Sequence, residues 1–428
     1  MPQKLSRGFS CACRINYLQI TAIRRLTGVK VFVLGAGGQG GPCTAILARD
    51  QEVEQVILAD IDLQAAELVK QKVGSGKVKT APVDAANVGA IVAAGCGCDV
   101  IIDLSMPWLA PKVIEAAHQL KIHYVNTAYD KPFWDQLVNG APLLMDRELK
   151  EAGLTGLLGC GMAPGFLNVL TRFYTDQLDT VNAIKLRLGK KKTDLGPYEE
   201  MISPWNPGWA PVQALIDCAE KPYVYRNGRF EEVEPYSEIE EWSFPEPVGK
   251  LPVSHHSHEE VYSMPRTIGK GLKYCDFKYF IQPQPAALVS NGFASREEID
   301  IKGQRVRPLD LVAALLPKPG SAFLEETVEQ LKVKDKTFFT SLMIYIDGEI
   351  NGSRKEFRIN CPNFNSPGPQ LLELFGTSLV NVALPAIIGA KMVIEGAPKG
   401  IVFAEEIDVV KFLDYFKATG IPYRWEEL

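Results

Sequence analysis

The sequence predicts an α/β protein in which a doubly wound parallel sheet is joined to a second α/β (α+β) domain with a mixed or antiparallel sheet. Three observations carry this. At 428 residues the chain exceeds what one core ordinarily organises, so two domains are expected. From Val29 to about residue 160, short apolar runs alternate with helix-period segments, as parallel strands linked by crossover helices do. Beyond about residue 170 the runs lengthen and are separated by loops rich in Pro and Trp.

The first strand, VKVFVLG from Val29, passes straight into glycines, and PCTAILARD continues as a small-residue helix. QVILADID and LQAAELVKQKV form the second strand and helix, and KVKTAPVDA and NVGAIVAAG form the third pair. DVIIDLS, helix PKVIEAAHQLK and strand HYVNTAY extend the alternation. A helix over 134–152 then leads into TGLLG, which makes six strands. In the second domain TVNAIKLRLGK and FTSLMIYIDGEI read as long strands, with SPWNPGWAP and EWSFPEPVGKLP as loops. Near the end, SLVNVALPAIIGAKMVI is an apolar helix and EIDVVKFLDYFKATG an amphipathic one.

A hydrophobic fraction of 46%, a net charge of −5 and a pI near 5.7 describe a globular chain with no field that attracts nucleic acid or anionic membrane. No run of eighteen apolar residues occurs. Small molecules are the expected partners. Nine cysteines include two C-x-C pairs, Cys11/Cys13 and Cys96/Cys98, and no C-x-x-C, which predicts free thiols in a reducing, cytoplasmic setting. Residues 1–28 hold Lys4, Arg7, Arg14, Arg24 and Arg25 and no acid, so they read as a leader, either disordered or targeting.

Gly35, Gly37 and Gly40 form G-x-G-x-x-G between a strand and a helix, with Gly38 and Gln39 inside the motif. The first glycine permits the turn, the second lets backbone approach a pyrophosphate, and the third lets helix and strand pack closely. Twenty residues after Gly40, Asp60 ends the second strand, where a carboxylate holds ribose hydroxyls; the alternative is that it caps the next helix. That carboxylate, followed by Ile61 and no arginine, favours NAD over NADP on a Rossmann unit. Asp84, Asp103, Ser105, Pro107, Asn126, Thr127 and Asp130 fall at the carboxyl ends of later strands. Of these, Asp84, Ser105 and Asn126 are taken as cofactor contacts, with plain turn chemistry left open for each polar one.

These segments resemble the saccharopine dehydrogenase superfamily, with its saccharopine reductase, lysine 6-dehydrogenase and carboxynorspermidine dehydrogenase-like members, over nearly all of 29–428. VFVLGAGGQGG, the GCGMAPGFLNVL turn with Gly161, Pro164 and Gly165, the SPWNPGWAP loop, HHSHEEVYSMPRTI and the closing KGIVFAEEIDVVKFLDYFKATGI carry the likeness. Met162, Ala163 and Glu260 depart from it, the first two at a place where saccharopine reductases tend to have Asp. The resemblance implies a nucleotide domain from 29–170 and 385–428, with 171–384 as a substrate and dimerisation domain in a homodimer. It also implies hydride transfer at a carbon bearing nitrogen, with lysine or a related diamino compound as substrate class. Reductive condensation of the saccharopine or carboxynorspermidine type is the alternative, and a non-catalytic NAD-binding redox reporter is a third reading.

An alkylammonium ion must lose its proton before hydride leaves its carbon, so a base is required. His258, Glu259 and Asp130 are the candidates. Arg266 or Arg187 would grip a carboxylate, although Arg187, in an alternating strand, reads more readily as a solvated surface ion. Trp205 and Trp209 form either an aromatic wall or loop anchors, and Pro164 and Gly165 join the substrate set. His255, His256 and His258 beside Glu259 and Glu260 suggest a metal. Only His256 and His258 share a face in an extended chain, however, and hydride transfer needs no metal, so none is expected.

Overall fold

The computed structural model describes residues 28–196, 199, 202, 205, 207, 210–316, 318, 320–361, 367–422 and 425–428. Residues 1–27 of the expected leader, and Trp209, lie outside them. The first six strands are β1 (Val29–Leu34), β2 (Val53–Asp60), β3 (Val78–Pro82), β4 (Val100–Asp103), β5 (His123–Asn126) and β6 (Thr155–Leu158). They pair in parallel in the order β6-β5-β4-β1-β2-β3. Helices α1 (Gly40–Arg49) and α2 (Leu63–Val73) follow the first two strands. Strand order reverses between β1 and β4, and the crevice that opens there is where nucleotides bind in such sheets.

Two elements depart from expectation. EWSFPEPVGKLP, read as a loop, is a hairpin: it holds the end of the strand Glu240–Ser243 and the start of its antiparallel partner Lys250–His255, and only Phe244–Gly249 turns between them. The helix expected over 134–152 is two short ones, Phe133–Val138 and Asp146–Glu151. Between them Asn139-Gly140-Ala141-Pro142 breaks the helix, with Gly140 at φ 64° and a proline that cannot continue the ladder.

The second sheet is mixed. Its strands are β7 (Thr180–Lys192), β8 (Tyr223–Arg226), β9 (Arg229–Glu232), β10 (Glu240–Ser243), β11 (Lys250–His255) and β12 (Tyr274–Phe280). A separate hairpin, β13 (Ile299–Ile301) and β14 (Gln304–Val306), precedes β15 (Phe338–Ile350) and β16 (Ser353–Asn360). The main path runs β10-β11-β12-β7-β15-β16, with β12 and β7 parallel and the other pairs antiparallel.

In the middle of this sheet Arg187 is 1% exposed, so it is not a surface ion. Its guanidinium makes paired bonds of 2.8 and 3.0 Å to Asp276, itself fully buried, and a third of 2.8 Å to Glu240. Alternation along β7 does not reveal that both faces of a central strand are covered.

The tail returns to the first sheet. β17 (Gly400–Phe403) lies parallel to β6 as a seventh strand, and β18 (Glu426–Glu427) joins β16. Residues 368–395 are long and apolar enough by composition to cross a membrane, with an eighteen-residue stretch of mean hydropathy 1.8. They are two helices separated at Gly376 (φ 78°), and the second, Val380–Glu395, packs on α1, β4 and β5.

Candidate active site

The glycine loop is shaped for a phosphate group. Gly35 sits at φ 105°, and a Cβ there would come 2.7 Å from the Leu104 carbonyl oxygen; a Cβ on Gly40 would collide with the Gly35 carbonyl. Gln39 caps α1 without a side-chain bond and the first turn holds no acid, so the helix N–H groups and positive dipole end remain available. Gln39 Oε1 is buried with no donor, which a ribose hydroxyl would supply. Gly37 and Gly38 are half-buried within this turn.

Asp60 accepts the Ala36 N–H at 2.6 Å and the Asp62 N–H at 2.8 Å, so it braces the glycine loop. The capping of α2 falls instead to Asp62, through Gln64 and Ala65. Ile61 stands 74% exposed beside Asp60. These residues fit a dinucleotide, whose nicotinamide supplies or accepts the hydride.

Farther along the strand ends, Asn126 accepts the Gly159 N–H at 2.8 Å and donates to Tyr124 Oη at 3.0 Å. Tyr124 and Ser105 in turn donate to Asp103 at 2.9 and 2.6 Å, which locks β4, β5 and the loop after β6 together. Burial raises the Asp103 carboxyl, against the pull of Ser105 and Tyr124. Asp84 is exposed and closes its own turn on Ala86.

Across the crevice the second domain brings a cluster of acids around one imidazole. His258 stacks on Phe277, ring centroids 4.0 Å apart, and its Nδ1 bonds Glu260 and lies 3.6 Å from Glu259. Asp217, from the helix Pro211–Ala219, adds a third carboxylate. Burial opposes charge on His258, but Glu260, Glu259 and Asp217 outweigh it and hold the imidazole at about 9. Burial, relieved in part by His258, lifts Glu259 to about 8. Burial also lifts Asp217, to about 7, with Gln213 and His258 opposing and Asp130 adding.

Near neutral pH the site therefore holds a cationic imidazole and two carboxyl groups poised to give or take a proton. Glu260 keeps one buried oxygen without a hydrogen-bond donor. His258, Glu259 and Glu260 offer three ligand atoms within 4.8 Å of one another, a spacing that suits a metal ion or an ammonium group. His255 turns away to Glu238 at 3.1 Å, and burial drives His256 down to about 3.

The other candidates lie around this cluster. Asp130 is half-buried after β5 and accepts the Lys131 N–H at 2.6 Å. Pro164 and Gly165 form a turn in which a Cβ on Gly165 would overlap the Gly161 backbone. Gly165 donates to Asn168, Asn168 to Glu405 at 2.9 Å, and Glu405 also accepts from Thr267 at 3.0 Å, which fixes turn, tail and the helix Glu260–Thr267 to one another. Arg266 lies exposed on the outer side of that helix, 3.5 Å from the Ala141 carbonyl oxygen. Trp205 is an anchor: it packs with Leu215, Leu309 and Val312 and donates to Gln282 at 3.1 Å.

Asp217, Tyr129 and Tyr262 were not foreseen. Asp217 is the one charged residue in PVQALIDCA, a lone acid on an apolar helix, and that was the available signal. Tyr262 stacks on Trp134 at 4.9 Å, and the two line a cleft of about 430 Å³ with Tyr223, Glu220, Lys131 and Arg296.

Residues 31–157 match the saccharopine dehydrogenase NADP binding domain, and residues 161–421 match the saccharopine dehydrogenase C-terminal domain. The chain belongs to the saccharopine dehydrogenase family. It is an NAD(P)-dependent oxidoreductase, which sets aside the reading as a non-catalytic reporter. A carboxyaminopropylagmatine dehydrogenase of Synechocystis sp. is 25% identical over 416 residues, 93% of this chain and 97% of that one. A carboxynorspermidine synthase of Vibrio alginolyticus is 24% identical, again over 93% of this chain and 97% of its own. The Saccharomyces cerevisiae saccharopine dehydrogenase (L-Glu forming) shares the fold at a TM-score of 0.65 and 16% identity, over 94% of this chain and 100% of that one.

Proposed function

We propose that this member of the family makes or breaks, by hydride transfer, the C–N bond of a secondary amine in a carboxylated polyamine, with NAD preferred over NADP. In the reductive direction an aldehyde and an amine condense with loss of water, and hydride delivered to the iminium carbon gives the secondary amine. The oxidative direction reverses both steps. The attacking amine must be neutral and the departing hydroxyl must gain a proton, so one site has to accept and donate protons near neutrality.

The observation that carries the reading is the pair Glu259 and Asp217, held at about 8 and about 7 beside the cationic His258. The named relatives, which bear carboxylated polyamines in their names, support that substrate class over free lysine. NAD is favoured because Asp60 presents a carboxylate where NADP would place its 2′-phosphate. The test is reduction of NAD by N-carboxyalkyl polyamines against a panel of free amino acids. Turnover confined to the secondary amines supports the proposal, and turnover only with lysine as a primary amine overturns it.

A further inference from the structure

The cleft beside the acid cluster carries two charges that the chain leaves unused. Glu220, at the end of the helix that holds Asp217, makes no ion pair among the described residues. Burial raises its carboxyl and Asp130 adds to this, while Arg296 and then Lys131 pull it back, and both of these cations line the cleft with it. Arg296 likewise has no carboxylate partner among the described residues. It lies in the segment between the helix Pro283–Ser290 and β13 and reaches across to the first domain, its guanidinium 5.5 Å from the centre of the Trp108 ring.

The neighbouring lysines differ. Lys131 pairs with Asp135 at 3.4 Å, and Lys221 pairs with Glu234 at 2.7 Å. The stacked Trp134 and Tyr262 line the same cleft, with Tyr223 5.7 Å from Tyr262. One wall is thus aromatic, and the rim bears one unpaired charge of each sign.

We infer that this cleft is the subsite for the α-amino-acid head of the substrate: Arg296 forks onto the α-carboxylate, Glu220 takes the α-ammonium, and Trp134 and Tyr262 cover the methylene chain. The pairing follows from charge. An isolated diamine would leave Arg296 facing a cation, and a simple dicarboxylate would leave Glu220 facing an anion, whereas a zwitterion satisfies both. The reacting end would then lie toward the His258–Glu259 cluster, since Tyr262, which lines the cleft, stands in the helix that Glu259 opens, and Glu220 ends the helix that carries Asp217. This deepens the proposed function and rests on it only for the identity of the reacting end.

Calorimetric titration of the full chain with L-ornithine and with putrescine, which lacks only the carboxylate, tests the subsite. The wild type should bind ornithine on the order of tenfold more tightly. Arg296→Ala should bring ornithine down to the putrescine level and leave putrescine unchanged, with folding checked by circular dichroism. Should that variant be poorly folded, Arg296→Lys, which keeps the charge but loses the fork, should still show a reduced preference. Glu220→Gln should weaken ornithine while leaving Nα-acetylornithine unaffected.

Equal binding of the two ligands by the wild type, no ornithine binding, or a preference that survives Arg296→Ala overturns the inference. Turnover of secondary amines without ornithine preference would sink the subsite and spare the reaction class. Preference without any turnover would do the reverse.

Discussion

Tyr129 donates its phenol to the backbone carbonyl of Glu259 across 3.0 Å and 130 residues of sequence. The donor stands in the loop after β5 of the nucleotide domain, and the acceptor opens the helix that carries the acid cluster. Tyr129 is itself buried against Phe133 and Phe403, so the bond is a fixed strut between cofactor crevice and acids. Tyr129→Phe removes the donor and keeps the packing. The expected outcome is a loss of about 1 kcal/mol in denaturant unfolding and a lower kcat with nucleotide affinity unchanged. An unaltered kcat would mean that the strut does not set the alignment.

The acid cluster gives stability a definite pH dependence. His258 is raised from 6.5 to about 9, so its contribution is complete below pH 6.5 and is lost as pH rises through 9. Glu259, raised to about 8, binds more protons folded than unfolded, and it too loses stability as pH rises toward 8. His256 acts in the opposite sense only below its ordinary value of 6.5. The thermal midpoint should therefore fall between pH 6.5 and 9, and the fall should be shallower in His258→Gln. An equal slope in both proteins would contradict the charged-imidazole assignment.

Asp60 has two tasks, and they separate in kinetics. Asp60→Ala removes the brace on Ala36 and the repulsion toward a 2′-phosphate together. The KM for NAD should rise and the KM for NADP should fall relative to it, shifting the NAD/NADP preference by about tenfold or more, on the scale of one charged contact. An unchanged preference would remove Asp60 from cofactor selection.

The buried Arg187–Asp276 pair is structural. Arg187→Met leaves the fully buried Asp276 without its bidentate partner, and the expected cost is about 3–5 kcal/mol of stability. Asp276→Asn together with Arg187→Met should recover part of that loss, measured by denaturant unfolding of both variants.

What the sequence disclosed follows the range of the interactions. The glycine loop, its strand and helix, and Asp60 are neighbours in sequence, so spacing alone located them. His258 and Glu259 were legible as adjacent titratable groups. Asp217 and Tyr129 reach them only through tertiary folding, and a one-dimensional pattern records neither approach. Arg187 was misjudged because period-two alternation assigns a residue to a face without saying what covers that face. The break at Asn139–Pro142 was overridden by the apolar periodicity on either side, although a Gly followed two residues later by Pro is a strong local stop.

The most direct test of amine-directed hydride transfer is oxidation of NADH by the full-length protein given an amino-acid semialdehyde, a diamine, or both. Oxidation should require both compounds together, yield the secondary amine, and fall by about 100-fold in Glu259→Gln, the range of general acid–base catalysis. Equal oxidation with the aldehyde alone, or a Glu259→Gln enzyme as fast as wild type, would contradict the account.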